Sequence, residues 1–353
     1  MKTAPIRGRI GFTCAYTPLP IIEAAGFAPY RILPMGDAPD QAGQLLHDNM
    51  CPHVKRVIDR AMSGDLAELR GMVIVNSCDA MRRLADAWRR VRPDVPVIFL
   101  DLPATHDAVA NRFYASELKR LADHLALWAG IDADALDVPA AAAEFNRLCA
   151  LLSECSSRLR AGRLAGGSAR MQALYNMAST QPSVAAIAEI AAVLADGQPP
   201  VDETDGVPVF LFGNVMPDPE AFIMFESSGA RIVGDDFCTG SRMFSPVAVG
   251  GGESVFMDLA VSIQQKPPCA RTFSPQAPGR LAADVVTAAR ACGAAGVIGH
   301  TLKFCDPYLA RLPMVREALK KEGLPVLLLE GDCTLRSIGQ QRTRIEAFIE
   351  MLR

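Results

Sequence analysis

Gly71–Arg83, GMVIVNSCDAMRR, decides how the chain is read. Met72–Asn76 reads as a short buried strand, Asp79 as an N-cap, and Ala80–Arg90 as the helix that follows. Cys78 lies in the turn between them. A strand running through a short turn into a helix is half of a βα unit, and the same unit recurs outward in both directions.

Toward the N-terminus, Arg9–Thr13 and Pro29–Leu33 are strand candidates, separated by a short helix over Pro20–Ala25 that Gly26 closes. Downstream come the strand Val95–Leu100 and a long helix, Ala108–Ala129, with apolar residues at helical spacing. Alternation returns after residue 206. The strands Val207–Phe212, Arg231–Gly234, Gly296–His300 and Leu324–Leu329 alternate with helices over Pro219–Ser227, Leu281–Ala291, Pro307–Glu322 and Arg342–Leu352. Such βα alternation predicts parallel sheets covered by helices. Between the two regions, Val138–Gly197 is rich in alanine and helical in its periodicity, with breaks at Gly162–Gly167 and Gln181–Pro182. Gly197–Gly206, GQPPVDETDG, has linker composition. The expected fold class is α/β, two Rossmann-like parallel-sheet lobes with a helical middle segment. The lobes are expected over residues 1–135 and 206–353, with the helical segment and linker over 136–205.

Three cysteines share one local setting. Cys51 precedes Pro52, a good first helical residue for the run to Met62. Cys78 stands ahead of Asp79. Cys305 precedes Asp306–Pro307, again a cap and a first-turn proline, after the strand Gly296–His300. Free backbone N–H groups and the positive end of the helix dipole favour negative charge at such turns, which lowers a thiol's pKa and suits a thiolate ligand. Cys51, Cys78 and Cys305 therefore read as candidate ligands of one iron–sulfur cluster; the competing reading is buried free thiols, which are common. The chain has ten cysteines and no C-x-x-C pair, which gives no support to a zinc ribbon or a thioredoxin-like motif. Cys14, Cys149, Cys155, Cys269, Cys292 and Cys333 are assigned as structural thiols, and so is Cys238, although DDFCTGSR lies at a strand end.

Composition excludes other classes. The net charge of −3 and the lack of a basic block argue against nucleic acid as a partner. The apolar tracts Val95–Leu100 and Leu324–Leu329 are too short to span a membrane, so no membrane partner is expected. MKTAPIRGRIGF has no apolar h-region, and a cytoplasmic location is the expectation.

Six segments carry a family resemblance: GFTCAYTPLPIIEAAGFAPYRI (Gly11–Ile32), CPHVKRVID (Cys51–Asp59), VIVNSCDAMRR (Val73–Arg83), ESSGARIVGDDFCTGSRMF (Glu226–Phe244), GVIGHTLKFCDPY (Gly296–Tyr308) and GQQRTRIEAFIEML (Gly339–Leu352). Together they resemble the 2-hydroxyacyl-CoA dehydratase family, which also contains benzoyl-CoA reductase subunits and double-cubane cluster proteins. The resemblance implies a [4Fe–4S] cluster held by Cys51, Cys78 and Cys305, or a double-cubane [8Fe–9S] cluster shared across a dimer. It implies a homodimer, or a heterodimer with a related subunit, an acyl-CoA substrate and an ATP-dependent iron–sulfur activator that supplies a low-potential electron. The implied chemistry is addition of that electron to the thioester carbonyl of a 2-hydroxyacyl-CoA, giving a ketyl that expels the α-hydroxyl. The alternatives are a benzoyl-CoA-reductase-type or double-cubane reductase, and an electron-relay subunit without its own substrate. One departure stands out. Many relatives carry glutamate after the proline of the first motif, whereas here Thr17–Pro18 is followed by Leu19–Pro20.

Other residues have two readings each. Asp235 and Asp236 are candidate catalytic acid–base groups, with turn formation as the alternative. His300 and Lys303 are placed to contact a ligand near Cys305, or to be ordinary polar groups. Arg82 and Arg83 suit the phosphates of coenzyme A, or a solvated helix face. Gly250–Gly252 is a cover over a cleft or a flexible loop; without a following Lys-Ser or Lys-Thr it is not a Walker A loop.

Overall fold

The computed structural model describes residues 6–36, 40–196, 206–333, 337 and 339–353. The expected linker, Gly197–Gly206, lies outside the described residues but for its last glycine. Each lobe is built on a four-stranded, all-parallel sheet. The first holds β1 (Arg9–Phe12), β2 (Ala28–Arg31), β3 (Leu69–Asn76) and β4 (Val97–Asp101) in the order β2-β1-β3-β4. The second holds β5 (Val207–Gly213), β6 (Ala230–Asp236), β7 (Gly296–Leu302) and β8 (Val326–Gly331) in the order β6-β5-β7-β8. The two lobes thus share one winding pattern.

Both faces of each sheet are covered, which is why the central strands read as unbroken apolar runs. On the first sheet, α2 (Pro52–Met62) and α3 (Asp79–Val91) bury Val54, Ile58, Leu84 and Trp88 against Met72 and Ile74. The other face takes α1 (Leu19–Ala24) and α4 (Ala108–Ala129). That core continues outward without a gap through α5 (Val138–Arg160), α6 (Gly167–Thr180), α7 (Ser183–Ala195) and α9 (Val255–Gln265). The middle helices are therefore packed as an outer layer of the first lobe's core. On the second sheet, α8 (Pro219–Ser227) and α12 (Arg342–Leu352) cover one face, and α10 (Arg280–Ala291) and α11 (Asp306–Lys321) the other. Gly71 shows how close the first lobe's layers come: a Cβ there would lie 2.2 Å from the Trp128 ring of α4.

Helix α9 has no counterpart among the elements expected from the sequence. Ser254 caps it by accepting from the Met257 N–H at 3.2 Å. Asp258 then turns back, and its Oδ2 accepts from the N–H groups of Gly250, Gly251 and Gly252 at 2.7, 3.0 and 3.2 Å. The triple glycine is thus tied to the start of α9 by one carboxylate.

Candidate functional site at the lobe junction

In open parallel sheets the crevice for a ligand lies beyond the carboxyl ends of the strands, where the winding reverses. Here that point falls between β1 and β3 in one sheet and between β5 and β7 in the other. Thr13–Cys14 leaves β1 and Ser77–Cys78 leaves β3; β5 runs into Asn214, and Lys303–Cys305 follows β7. Cys14 and Asn214 thus share switch points with Cys78 and Cys305.

Cys51, Cys78 and Cys305 are themselves the N-caps of α2, α3 and α11. This corrects the expectation for Asp79 and Asp306, which are the first helical residues, where a carboxylate complements the helix dipole. None of the three sulfurs makes a cap hydrogen bond of full geometry. Burial pushes the Cys78 and Cys305 thiols up to about 12 and raises Cys51 as well. The backbone N–H groups of His53 and Val54 offset part of this at Cys51, Met81 does so at Cys78, and Tyr308 at Cys305. These are the second and third helical positions, the donors an N-cap side chain faces. A charge on Cys51 would raise both Cys78 and Cys305 further, so the three thiols share one electrostatic neighbourhood. Among the described residues, however, no group of three or more His, Cys, Asp or Glu side chains stands in metal-holding geometry. The fold brings the thiols to one region and not to one point. Their chemistry suits an iron–sulfur group: three soft donors, each at a positive helix end, with N–H groups nearby.

The turns that carry the thiols are braced across the junction. Arg271, between α9 and α10, donates to the carbonyls of Ser77 at 2.8 Å, Asn76 at 3.0 Å and Pro103 at 2.6 Å, and also to Leu102. Two of these carbonyls directly precede Cys78. In the second lobe, Tyr308 Oη donates to the Gly213 carbonyl at 2.5 Å. A Cβ at Gly213 would lie 1.9 Å from the His300 carbonyl oxygen, so only glycine fits there. Asn214 Oδ1 accepts from the N–H of Val215 at 2.8 Å and of Leu302 at 3.2 Å. Phe304, just ahead of Cys305, has φ 58, an uncommon left-handed backbone for a bulky residue.

Asp235, read as a catalytic candidate, accepts from the N–H of Phe237 at 3.1 Å and of Ser241 at 2.9 Å. Burial raises its carboxyl to about 6, and these N–H groups hold it back. Asp236 pairs with buried Arg242 at 2.7 Å. Both aspartates thus organise the turn after β6, the role weighed against catalysis for them. His300 is 2% exposed, neither ring nitrogen has a partner among the described residues, and burial lowers its pKa to about 4, so it is neutral. Lys303 is exposed. Arg82 donates to Asn76 Oδ1 at 2.7 Å and Arg83 pairs with Asp86 at 3.0 Å, as on a solvated helix face. Cys238 Sγ donates to the Asn214 carbonyl at 2.6 Å. Cys149 and Cys155 are buried in the first core. Leu19 and Pro20, at the place of the missing glutamate, are buried in α1. Behind them a small cavity of about 20 Å³, room for one water, lies between Thr17, Leu19, Met243 and Lys266. No helix among the described residues is long and apolar enough to cross a membrane.

Comparison with known proteins is decisive at this point: residues 14–352 match the family model described as 2-hydroxyglutaryl-CoA dehydratase, D-component. The chain belongs to that family. It is 24% identical to the lactoyl-CoA dehydratase subunit beta of Anaerotignum propionicum, covering 98% of this chain and 92% of the relative. The (R)-2-hydroxyglutaryl-CoA dehydratase subunit beta of Acidaminococcus fermentans is also 24% identical, over 97% of this chain and 92% of its own length. A benzoyl-CoA reductase subunit of Thauera aromatica is 24% identical, over 92% of this chain and 85% of its own. This family member is thus related along nearly its whole length to subunits of enzymes that act on acyl-CoA thioesters.

Proposed function

We propose that this chain is an iron–sulfur subunit of the 2-hydroxyacyl-CoA dehydratase type. The observation that carries the reading is the placement of Cys51, Cys78 and Cys305: three helix N-caps, two from one lobe and one from the other, facing one junction. These residues would hold a [4Fe–4S] cluster. When bound, that group supplies a low-potential electron to the thioester carbonyl of a 2-hydroxyacyl-CoA, which makes loss of the α-hydroxyl feasible. The chain's own residues position it. Arg271 fixes the turn before Cys78, and Tyr308 and Asn214 fix the turns around Cys305. The partner is a related subunit, as the beta-subunit names of the relatives suggest, and an ATP-dependent iron–sulfur activator delivers the electron.

A second reading is favoured by one observation. Leu19 and Pro20 are buried, and the only carboxylate of α1, Glu23, is spent on the N–H and hydroxyl of Ser183 at the start of α7, so the first turn of α1 offers none to handle a substrate hydroxyl. A chain of this kind would relay electrons to a partner subunit, or reduce a substrate as benzoyl-CoA-reductase-type or double-cubane [8Fe–9S] proteins do.

The test is anaerobic purification with iron, sulfide and EPR measurements on the wild type and on Cys51→Ser, Cys78→Ser, Cys305→Ser and Cys149→Ser. Each of the first three is expected to lose most of its iron, and the last to keep it. Full iron in all of the first three would overturn the ligand assignment. Activity with 2-hydroxyacyl-CoA in the presence of partner and activator distinguishes dehydration from the reductase reading.

A further inference from the structure

Two fully buried guanidinium groups meet at the loop after β6, each with a nitrogen that has no hydrogen-bond partner among the described residues. Arg31, the last residue of β2, is 1% exposed. Its Nη1 donates across the junction to the Cys238 carbonyl, and its Nη2 has no partner. Arg242 is also 1% exposed. It donates through Nε to Asp236 Oδ1 at 2.7 Å and through Nη2 to the Asp236 carbonyl at 2.5 Å, while its Nη1 has no partner. Both guanidiniums are held by one short loop, Asp236–Arg242, at the carboxyl end of β6. A third cation, Lys266, comes from the end of α9. Its ammonium donates to the Ala15 carbonyl and stands 4.4 Å from the centroid of the Tyr16 ring. Among the described residues neither Arg31 nor Lys266 forms an ion pair, so three cations share one carboxylate.

A buried cation without an anion is costly, and hydrogen bonds to carbonyls satisfy its geometry without neutralising it. The cations are also close to one another: Arg31 and Arg242 both help to lower the Lys266 pKa, behind the larger effect of burial. Cys14 and Cys238 lie within electrostatic reach of Arg31, Cys238 of Cys51, and Cys14 of Cys78. The geometry agrees: Arg31 is in register with Phe12, two residues before Cys14 in the turn after β1, and Cys238, whose carbonyl Arg31 holds, donates to the carbonyl of Asn214 in the turn after β5, so the excess positive charge borders both switch points. We propose that Arg31, backed by Arg242 and Lys266, is the charge-compensating wall of the thiol site, holding the negative charge of an anionic group ligated there and stabilising its reduced form. This rests on the iron–sulfur reading. It adds a positioning role for three residues that donate no ligand.

A buried positive charge favours the state with one more electron, so removing it makes reduction harder. The experiment is an EPR-monitored reductive titration of the anaerobically reconstituted protein with a low-potential chemical reductant, on the wild type, Arg31→Gln, Arg31→Lys and Lys266→Gln. Iron content is measured on the same samples. Arg31→Gln is expected to retain iron and to shift the reduction equilibrium against the reduced form by about tenfold, which is about 59 mV for one electron. Arg31→Lys restores most of the shift, and Lys266→Gln moves it in the same direction by less. If Arg31→Gln does not fold, Lys266→Gln carries the test alone. Wild-type midpoints in the iron-loaded glutamine variants overturn the inference and leave the iron–sulfur reading standing. A wild type that takes up no iron sinks that reading, and the inference with it.

Discussion

Replacing Arg271 with methionine separates bracing of the Cys78 turn from general packing. The guanidinium reaches four carbonyls, on Asn76, Ser77, Leu102 and Pro103, from a point 168 to 195 residues further along the chain. Methionine fills much of the same volume and donates to none of them. Each buried acceptor left bare costs about 1 kcal/mol or more, so four give about 4 kcal/mol, a large part of the roughly 5–15 kcal/mol that holds a typical protein folded. Lysine keeps the charge but not the fork, and should recover only a minor share. Urea unfolding followed by circular dichroism gives the stability change, and iron per protein on the folded fraction reports the turn. The expected result is a loss of about 4 kcal/mol in Arg271→Met, together with lower iron retention at urea concentrations where the secondary structure is intact. A loss under about 1 kcal/mol would refute the bracing argument, because the four carbonyls would then have found other partners at no cost.

Two further predictions concern the first lobe. Glu23 of α1 accepts from the Ser183 N–H at 2.7 Å and its hydroxyl at 2.9 Å at the start of α7, and burial, partly offset by those bonds, raises its carboxyl from the ordinary 4.5 to about 7. The folded state then keeps a proton that the unfolded state has lost, so unfolding free energy should fall by up to ~3 kcal/mol as pH rises from about 4.5 to 7, and Glu23→Gln should flatten that slope; an unchanged pH profile in the variant counts against it. Gly71→Ala puts a methyl 2.2 Å from the Trp128 ring and should cost about 1–3 kcal/mol in thermal unfolding, a cost that vanishes if α4 can shift freely.

Much of the fold is legible in the chain because its signals are local. Ala108–Ala129, Pro219–Ser227 and Arg342–Leu352 form helices with the expected bounds, set by proline, glycine and apolar spacing. The caps fall one residue earlier than expected at Cys78 and Cys305, since aspartate is the commoner cap and stands next to the cysteine in both cases. Helix α9 is hidden by the glycine run ahead of it, although Ser254 is a usable cap signal. Asn214 is legible from sequence as a residue at the carboxyl end of a strand, whereas Cys14, read as a structural thiol, becomes visible as a site neighbour only with strand order, which marks the turn after β1 as a switch point. Arg31, Lys266 and Arg271 carry no readable signal at all. Their partners are backbone carbonyls far away in sequence, and any residue carries one.

That choice of acceptor links stability to chemistry. Where Arg31 and Arg271 cross the junction, and where Lys266 meets the turn after β1, each is met by carbonyl oxygen and not by carboxylate. A carboxylate partner would strengthen each contact but cancel its charge, leaving the junction electrically neutral. Carbonyls supply hydrogen-bond geometry while the cation's field survives, directed into a low-dielectric space where it acts at full strength. The two arginines then divide the work. Arg271 has its donors spent on four carbonyls, and its loss should appear mainly as stability. Arg31 has one cross-junction bond and an idle nitrogen, and its loss should appear mainly in the energetics of whatever negative charge the thiol site holds. If both substitutions instead produced the same stability loss and no electrostatic effect, the carbonyl pairing would be packing alone, and the positive junction would have no role in the chemistry proposed for Cys51, Cys78 and Cys305.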